Sequence, residues 1–219
     1  MTKLQELLKQ INRKHVYIQT HNFPDPDAIA SALGIQELLK HNGISSTICY
    51  KGKIDRYSTD KLRELMEIEL LNVEDLSTIL TDEDEVILVD AQKGNSNIVD
   101  ITGDEIICID HHPENEKFPY RFKDIRPKVG ACATIVAQYF FENNIEVDFY
   151  IPSENLAIQV SMQVLDDVDT LERETRAFVK LNQFIPDTKC LLVTNSEETK
   201  LNCDGIKIDV VPIWKWLLD

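Results

Sequence analysis

At 219 residues the chain is long enough to bury a full core without disulfides or a structural metal, as one large domain or one domain with a small appendage. A net charge of −15 argues against long duplex nucleic acid as a partner, since counterion-release binding needs a basic face. Five cysteines, odd in number and with no CxxC pair, argue against a disulfide framework or a zinc ribbon.

The opening MTKLQELLKQINRK lacks the apolar core of a secretory leader, and no apolar run approaches the length of a membrane helix. A reduced, cytoplasmic setting with no membrane partner is expected. Residues 2–14 read as a helix, with Leu4, Leu7, Leu8 and Ile11 at helical spacing and Thr2 able to cap it. HVYIQT is a short strand that runs into HNFPDPD. Residues 28–41 form a helix stopped by Asn42-Gly43, STICYKG is strand-like, residues 60–71 are helical, and VEDLSTIL is a further short helix.

Two similar units follow. EVILVD stops on Asp90 and EIICID stops on Asp110, and continuous apolar runs of this kind suit strands buried on both faces of a parallel sheet. ACATIVAQYFFENN is a helix opened by Gly130, residues 152–168 are predicted helical with Pro152 near the start, and residues 172–184 form another helix ending before Pro186. CLLVT and IKIDVV are strand candidates in the tail, followed by IWKWLL. Alternating strands and helices indicate an α/β fold with an open, mostly parallel sheet. The one boundary suggested falls near residues 184–188, separating a domain at 1–184 from a short strand-containing extension at 185–219.

The polar residues gain meaning from position. His21, Asp25, Asp27, Asp90, Asp110, His111 and His112 all lie at or just past strand ends, where open α/β sheets bind ligands. Carboxylates so close repel one another unless a cation sits between them. Taken alone, HNFPDPDA would equally be a helix N-terminal loop with Asp27 as the cap and Pro26 setting the turn. Mixed imidazole and carboxylate donors suit a borderline-hard divalent ion such as Mn²⁺.

HNFPDPDA, the strand-end Asp90, IDHHPENE and a later acidic segment together resemble the DHH (RecJ-like) phosphoesterase superfamily, over roughly residues 15–180. Its branch of short-RNA exonucleases, phosphoadenosine-phosphate phosphatases and cyclic-dinucleotide phosphodiesterases is the most similar. The resemblance implies two Mn²⁺ ions, with Mg²⁺ or Co²⁺ as substitutes. His21 and Asp25 would hold the first ion, Asp27 and His111 the second, and Asp90 both. His112 would face a phosphate oxygen and Asp110 would orient its neighbours. The last ligand falls in VLDDVDTLER. There Asp167, with Leu171 and Arg173, fits the spacing better than Asp166, although the flanking threonines of the family are missing.

The implied activity is metal-dependent hydrolysis of a phosphoester in a small nucleotide or short single-stranded oligonucleotide. The alternatives are a regulatory nucleotide-binding domain without turnover, and an enzyme cleaving pyrophosphate or polyphosphate. Nothing after Phe184 matches the glycine-rich segment of the family's second domain, so a homodimer or a partner chain would complete the cleft. Gly130-Ala131-Cys132-Ala133-Thr134 would either offer backbone N–H groups to an anion or simply pack as a helix start. Arg56, Lys61 and Arg63 could reach a ligand but read more readily as solvated helix charges, and Trp214 and Trp216 could stack on a base or seal an interface but read more readily as an apolar tail packed on the core.

Overall fold

A computed structural model describes residues 1–76, 80–115, 118–143 and 147–218. The chain folds as two compact units, Met1–Tyr139 and Phe140–Asp219.

The first unit opens with α1 (Lys3–Leu8), shorter than the sequence suggests but capped as expected: Thr2 and Gln5 form a reciprocal capping box. Six strands follow: β1 (His15–Gln19), β2 (Ser45–Tyr50), β3 (Leu70–Asn72), β4 (Glu85–Val89), β5 (Asp104–Asp110) and β6 (Phe122–Ile125). They form one sheet in the order β3-β2-β1-β4-β5-β6, with every pairing parallel. From β1 the chain builds outward in one direction and from β4 in the other, so the order reverses between these two strands. That reversal opens a crevice beyond their C-terminal ends.

Side chains alternate across the sheet. One face carries Tyr17, Cys49, Val86, Leu88 and Cys108, packed with Val73, Leu80 and the loop residues Ile98, Val99 and Ile101. The opposite face, with Val16, Ile18, Ile48 and Ile87, is covered by α2 (Pro26–His41). β4 is buried along its whole length, as its unbroken apolar run implies. Two short helices, α3 (Tyr57–Leu65) and α4 (Val73–Leu76), precede β4. The helix expected over 60–71 stops early, at a left-handed Glu67, and the edge strand β3 takes its last residues. Ser77, Thr78 and Ile79 of the expected VEDLSTIL helix lie outside the described residues. α5 (Cys132–Glu142) buries Cys132, Ile135, Val136 and Tyr139.

The second unit is a five-stranded sheet in the order β10-β11-β9-β8-β7, made of β7 (Phe149–Ile151), β8 (Leu156–Val160), β9 (Lys189–Thr194), β10 (Thr199–Cys203) and β11 (Ile206–Pro212). α6 (Val168–Phe184) lays Phe178 and Leu181 against Ala157, Cys190, Leu192, Ile208 and Val210. α7 (Ile213–Trp216) is the last helix among the described residues. The helix expected over 152–168 is instead a 3-10 turn (Pro152–Glu154) and β8. LAIQV fits either period locally, and pairing on both sides with β7 and β9 decides for strand. The boundary expected near residue 184 falls inside the second unit, where β9, β10 and β11 share a sheet with β7 and β8. Among the described residues, no helix is long and apolar enough to cross a membrane.

Candidate metal centre

The centre is assembled at the C-terminal ends of β1, β4 and β5. After β1 the backbone breaks away at His21. Asn22 N–H donates to Asn97 O (2.7 Å), and Asn22 Oδ1 accepts from Val99 N–H (3.1 Å), tying this loop to the one after β4. Asp25 caps α2: its Oδ1 accepts from the N–H groups of Asp27 (3.0 Å) and Ala28 (3.1 Å), and Pro26 opens the helix. The cap is therefore Asp25, not Asp27.

Asp27 has a different anchor. Its Oδ2 accepts from Cys132 N–H and its Oδ1 from Ala133 N–H, both at 2.8 Å. A carboxylate of the first unit thus occupies the N-terminus of α5, where free N–H groups and the helix dipole favour negative charge. The small residues Gly130–Thr134 do receive an anion, but it is this protein's own side chain.

Asp90 lies at the centre. It follows β4 in a left-handed backbone conformation (φ 55°), unusual for a residue with a Cβ and typical of functional strand exits. It is buried, and its Oδ1 has no hydrogen-bond partner. His21 Nε2 lies 3.6 Å from Asp90 Oδ2 and 3.9 Å from Asp25 Oδ1. His111 Nε2 lies 3.3 Å from Asp90 Oδ1 and 3.7 Å from Asp27 Oδ2.

The tautomers follow from the partners. His21 Nδ1 is 2.8 Å from Asn22 O, and His111 Nδ1 is 3.2 Å from Val129 O. A carbonyl can only accept, so each Nδ1 carries a proton and each Nε2 is the ring nitrogen turned toward Asp90. His112 differs: its Nδ1 donates to Asp110 Oδ1 at 2.9 Å. That bond, together with the negative charge of Asp110, Asp90 and Asp27, raises the His112 pKa above its ordinary value against a smaller opposing effect of burial.

Asp110 is fully buried and fully bonded. Its Oδ1 also accepts from His111 N–H (2.8 Å), while its Oδ2 accepts from Gln92 Nε2 at 2.6 Å. Gln92 is itself buried, donating to Pro113 O and accepting from Asn115 N–H. Sequence reasoning did not single out Gln92. Its only signal is a polar residue two places past a strand-end acid.

The donor set suits a cation. Burial pushes the Asp90 pKa up to about 8, with the charges of Asp27, Asp110 and Asp25 adding to it. An unpartnered buried carboxylate oxygen among three further carboxylates lacks positive charge. Two triads whose donor atoms lie within 4.8 Å of one another would supply a place for it: His21–Asp25–Asp90 and Asp90–His111–His112. Asp90 belongs to both.

Asp167 belongs to the second unit, where it caps α6, accepting from Asp169 N–H, Thr170 N–H and the Thr170 hydroxyl. Lys61 pairs with Glu64 and Arg63 with Asp60, as solvated helix charges do. Arg56 stands apart, with Nη1 4.0 Å from Asp25 Oδ2. Trp214 and Trp216 are largely exposed rather than packed into the core. Cys108 and Cys132 are buried thiols, and Glu116 of the IDHHPENE stretch lies outside the described residues.

Residues 15–161 match the family model described as the DHH family, N-terminal domain. The chain belongs to the DHH family. It is 35% identical over 170 residues to an uncharacterized protein of Methanocaldococcus jannaschii, MJ1633, covering 78% of this chain and 34% of that one. It is 25% identical to a probable bifunctional oligoribonuclease and PAP phosphatase, NrnA, of Streptococcus mutans (67% of this chain, 45% of the relative). It is 28% identical to a probable manganese-dependent inorganic pyrophosphatase of Bacillus licheniformis (73% and 51%). The DHH chain described here thus spans about half or less of the length of these relatives.

Proposed function

We propose that this chain carries the metal-dependent catalytic centre of a phosphohydrolase, acting on a phosphoester of a small nucleotide or short oligonucleotide. The observation that carries the reading is Asp90: a buried carboxylate with an unpartnered oxygen, shared by two sets of donors. Mn²⁺ is the ion of choice, on the chemistry of mixed imidazole and carboxylate donors and on the name of the pyrophosphatase relative.

In this reading His21 and Asp25 serve one ion, Asp27 and His111 the other, and Asp90 both. The family spacing assigns Asp167 as a further ligand. Such a pair of cations, when bound, supplies a water of lowered pKa and neutralises charge on the phosphoryl oxygens. The protein contributes orientation. Asn22 O and Val129 O hold His21 and His111 with Nε2 forward, and the N-terminus of α5 fixes the Asp27 carboxylate. His112, its Nδ1 fixed on Asp110, presents Nε2–H to a phosphoryl oxygen, where developing negative charge strengthens the bond.

The test is metal analysis followed by hydrolysis of a panel containing a dinucleotide, phosphoadenosine phosphate, a cyclic dinucleotide and pyrophosphate. Mn²⁺-dependent turnover that Asp90→Ala abolishes is expected, and turnover indifferent to Asp90→Ala would refute it. The likeness to the pyrophosphatase supports a second reading, cleavage of a phosphoanhydride by the same residues. Preferential phosphate release from pyrophosphate would favour it.

A further inference from the structure

One residue of the HNFPDPD loop is spent on neither the metal donors nor the helix cap. Phe23 lies two residues from both His21 and Asp25, yet 61% of it is exposed. Its backbone is left-handed (φ 54°), a conformation that costs a bulky residue on the order of 1 kcal/mol and persists only where its surroundings enforce it. They do so here. Phe23 N–H donates to Lys51 O at 2.7 Å, and the ring lies on Gly52. Gly52 is itself left-handed (φ 97°), and a Cβ there would stand 2.6 Å from Phe23 Cδ1. Asn72 Nδ2 donates to Gly52 O and holds this loop in turn. One side of the ring lies on the Gly52 backbone and most of the residue faces solvent, two residues along the chain from His21 and from Asp25.

The segment that carries Gly52 has the opposite charge balance to the chain. Residues 51–56 hold Lys51, Lys53 and Arg56 against the single acid Asp55, in a protein of net charge −15. Among the described residues neither Lys51 nor Lys53 has a carboxylate at ion-pair distance, and Arg56 reaches Asp25 only at 4.0 Å. A fixed, open aromatic face bordered by cations is the combination that stacks a base while holding its phosphates.

Building on the phosphohydrolase reading, we propose that Phe23 is a specificity-determining residue of this centre: its open face stacks the base of a nucleotide whose phosphate would be held by cations bound at the donor cluster, and Arg56 takes a neighbouring phosphate. Stacking of one base on one ring is worth about tenfold in affinity.

The test is equilibrium binding to the Mn²⁺-loaded chain, comparing AMP with ribose 5-phosphate, which has the phosphate and sugar but no base. The wild type is expected to favour AMP about tenfold, Phe23→Ala to erase that preference, and Phe23→Trp to keep it. Arg56→Gln is expected to keep the base preference and to lose the advantage of adenosine 3′,5′-bisphosphate over AMP. Unchanged thermal melts of the variants exclude a folding defect. A Phe23→Ala protein that still prefers AMP overturns the inference, as does a wild type that binds both ligands alike. If the wild type takes up no Mn²⁺, the phosphohydrolase reading itself fails; if it hydrolyses phosphoesters but ignores the base, only the subsite fails.

Discussion

Gln92 Nε2 lies 2.6 Å from Asp110 Oδ2, and the other oxygen of that carboxylate holds His112 Nδ1 at 2.9 Å. A buried amide thus sets the direction of an imidazole it does not touch. Replacing Gln92 by Leu removes the donor and leaves a buried carboxylate oxygen short of a partner. The expected cost is about 1.5–3 kcal/mol in a urea titration. A ¹⁵N spectrum of the imidazoles should show the His112 Nδ1–H signal shifting while those of His21 and His111 stay in place, and a His112 signal identical to wild type would contradict this chain of bonds.

Asp90 destabilises the metal-free protein, because it is buried beside other carboxylates. Asp90→Asn should therefore raise the apparent Tm in EDTA by about 3 °C or more, the shift expected for roughly 1 kcal/mol in a domain of this size. Mn²⁺ should raise the Tm of the wild type and leave that of Asp90→Asn nearly unchanged, since only a ligand bound to the folded state stabilises it. Differential scanning fluorimetry with and without chelator reads both effects.

Asp27 carries the opposite sign. Both of its oxygens accept from the start of α5, so Asp27→Ala strips two N–H groups of their partner. In EDTA the variant should lose about 1–2 kcal/mol, as when a helix cap is deleted. Two acids within one cluster would then shift stability in opposite directions, which a generic loss of charge repulsion does not produce.

Asp124 tests the unit away from the cleft. Burial pushes its pKa up, but the Arg126 guanidinium and the Tyr139 hydroxyl outweigh burial and hold it below the ordinary value. A depressed carboxylate stabilises the fold above its unfolded pKa, near 3.9. That contribution is lost as pH falls through the lower folded value. Asp124→Ala should cost about 3 kcal/mol at pH 7. The gap in urea midpoint between wild type and variant should then narrow at about pH 3 and below.

Much of the first unit could be read from residue order. β1, β4 and β5 are unbroken apolar runs ending on polar groups, and burial on both faces leaves such segments little other choice. The candidate residues that the first unit gathers were legible because they stand at or just past strand exits. The second unit was harder. β8 hides in a stretch whose apolar residues fit a helix, and only pairing with β7 and β9, distant in sequence on one side, resolves it. Short strands such as β6 (FKDI), β7 (FYI) and β10 (TKLNC) carry too little pattern to register. The cap at Asp25 and the partners of Asp27 depend on backbone positions rather than residue types; Asp27 and Cys132 are 105 residues apart.

The reversal of strand order between β1 and β4 has an evolutionary corollary. Loops leaving on either side of that seam can lengthen, shorten or change composition without displacing the acids anchored at the seam itself. The segment at 51–56 belongs to one flank and the segment at 111–115 to the other. A scaffold of this kind lets the flanking segments vary while the acids and imidazoles at the seam keep their places.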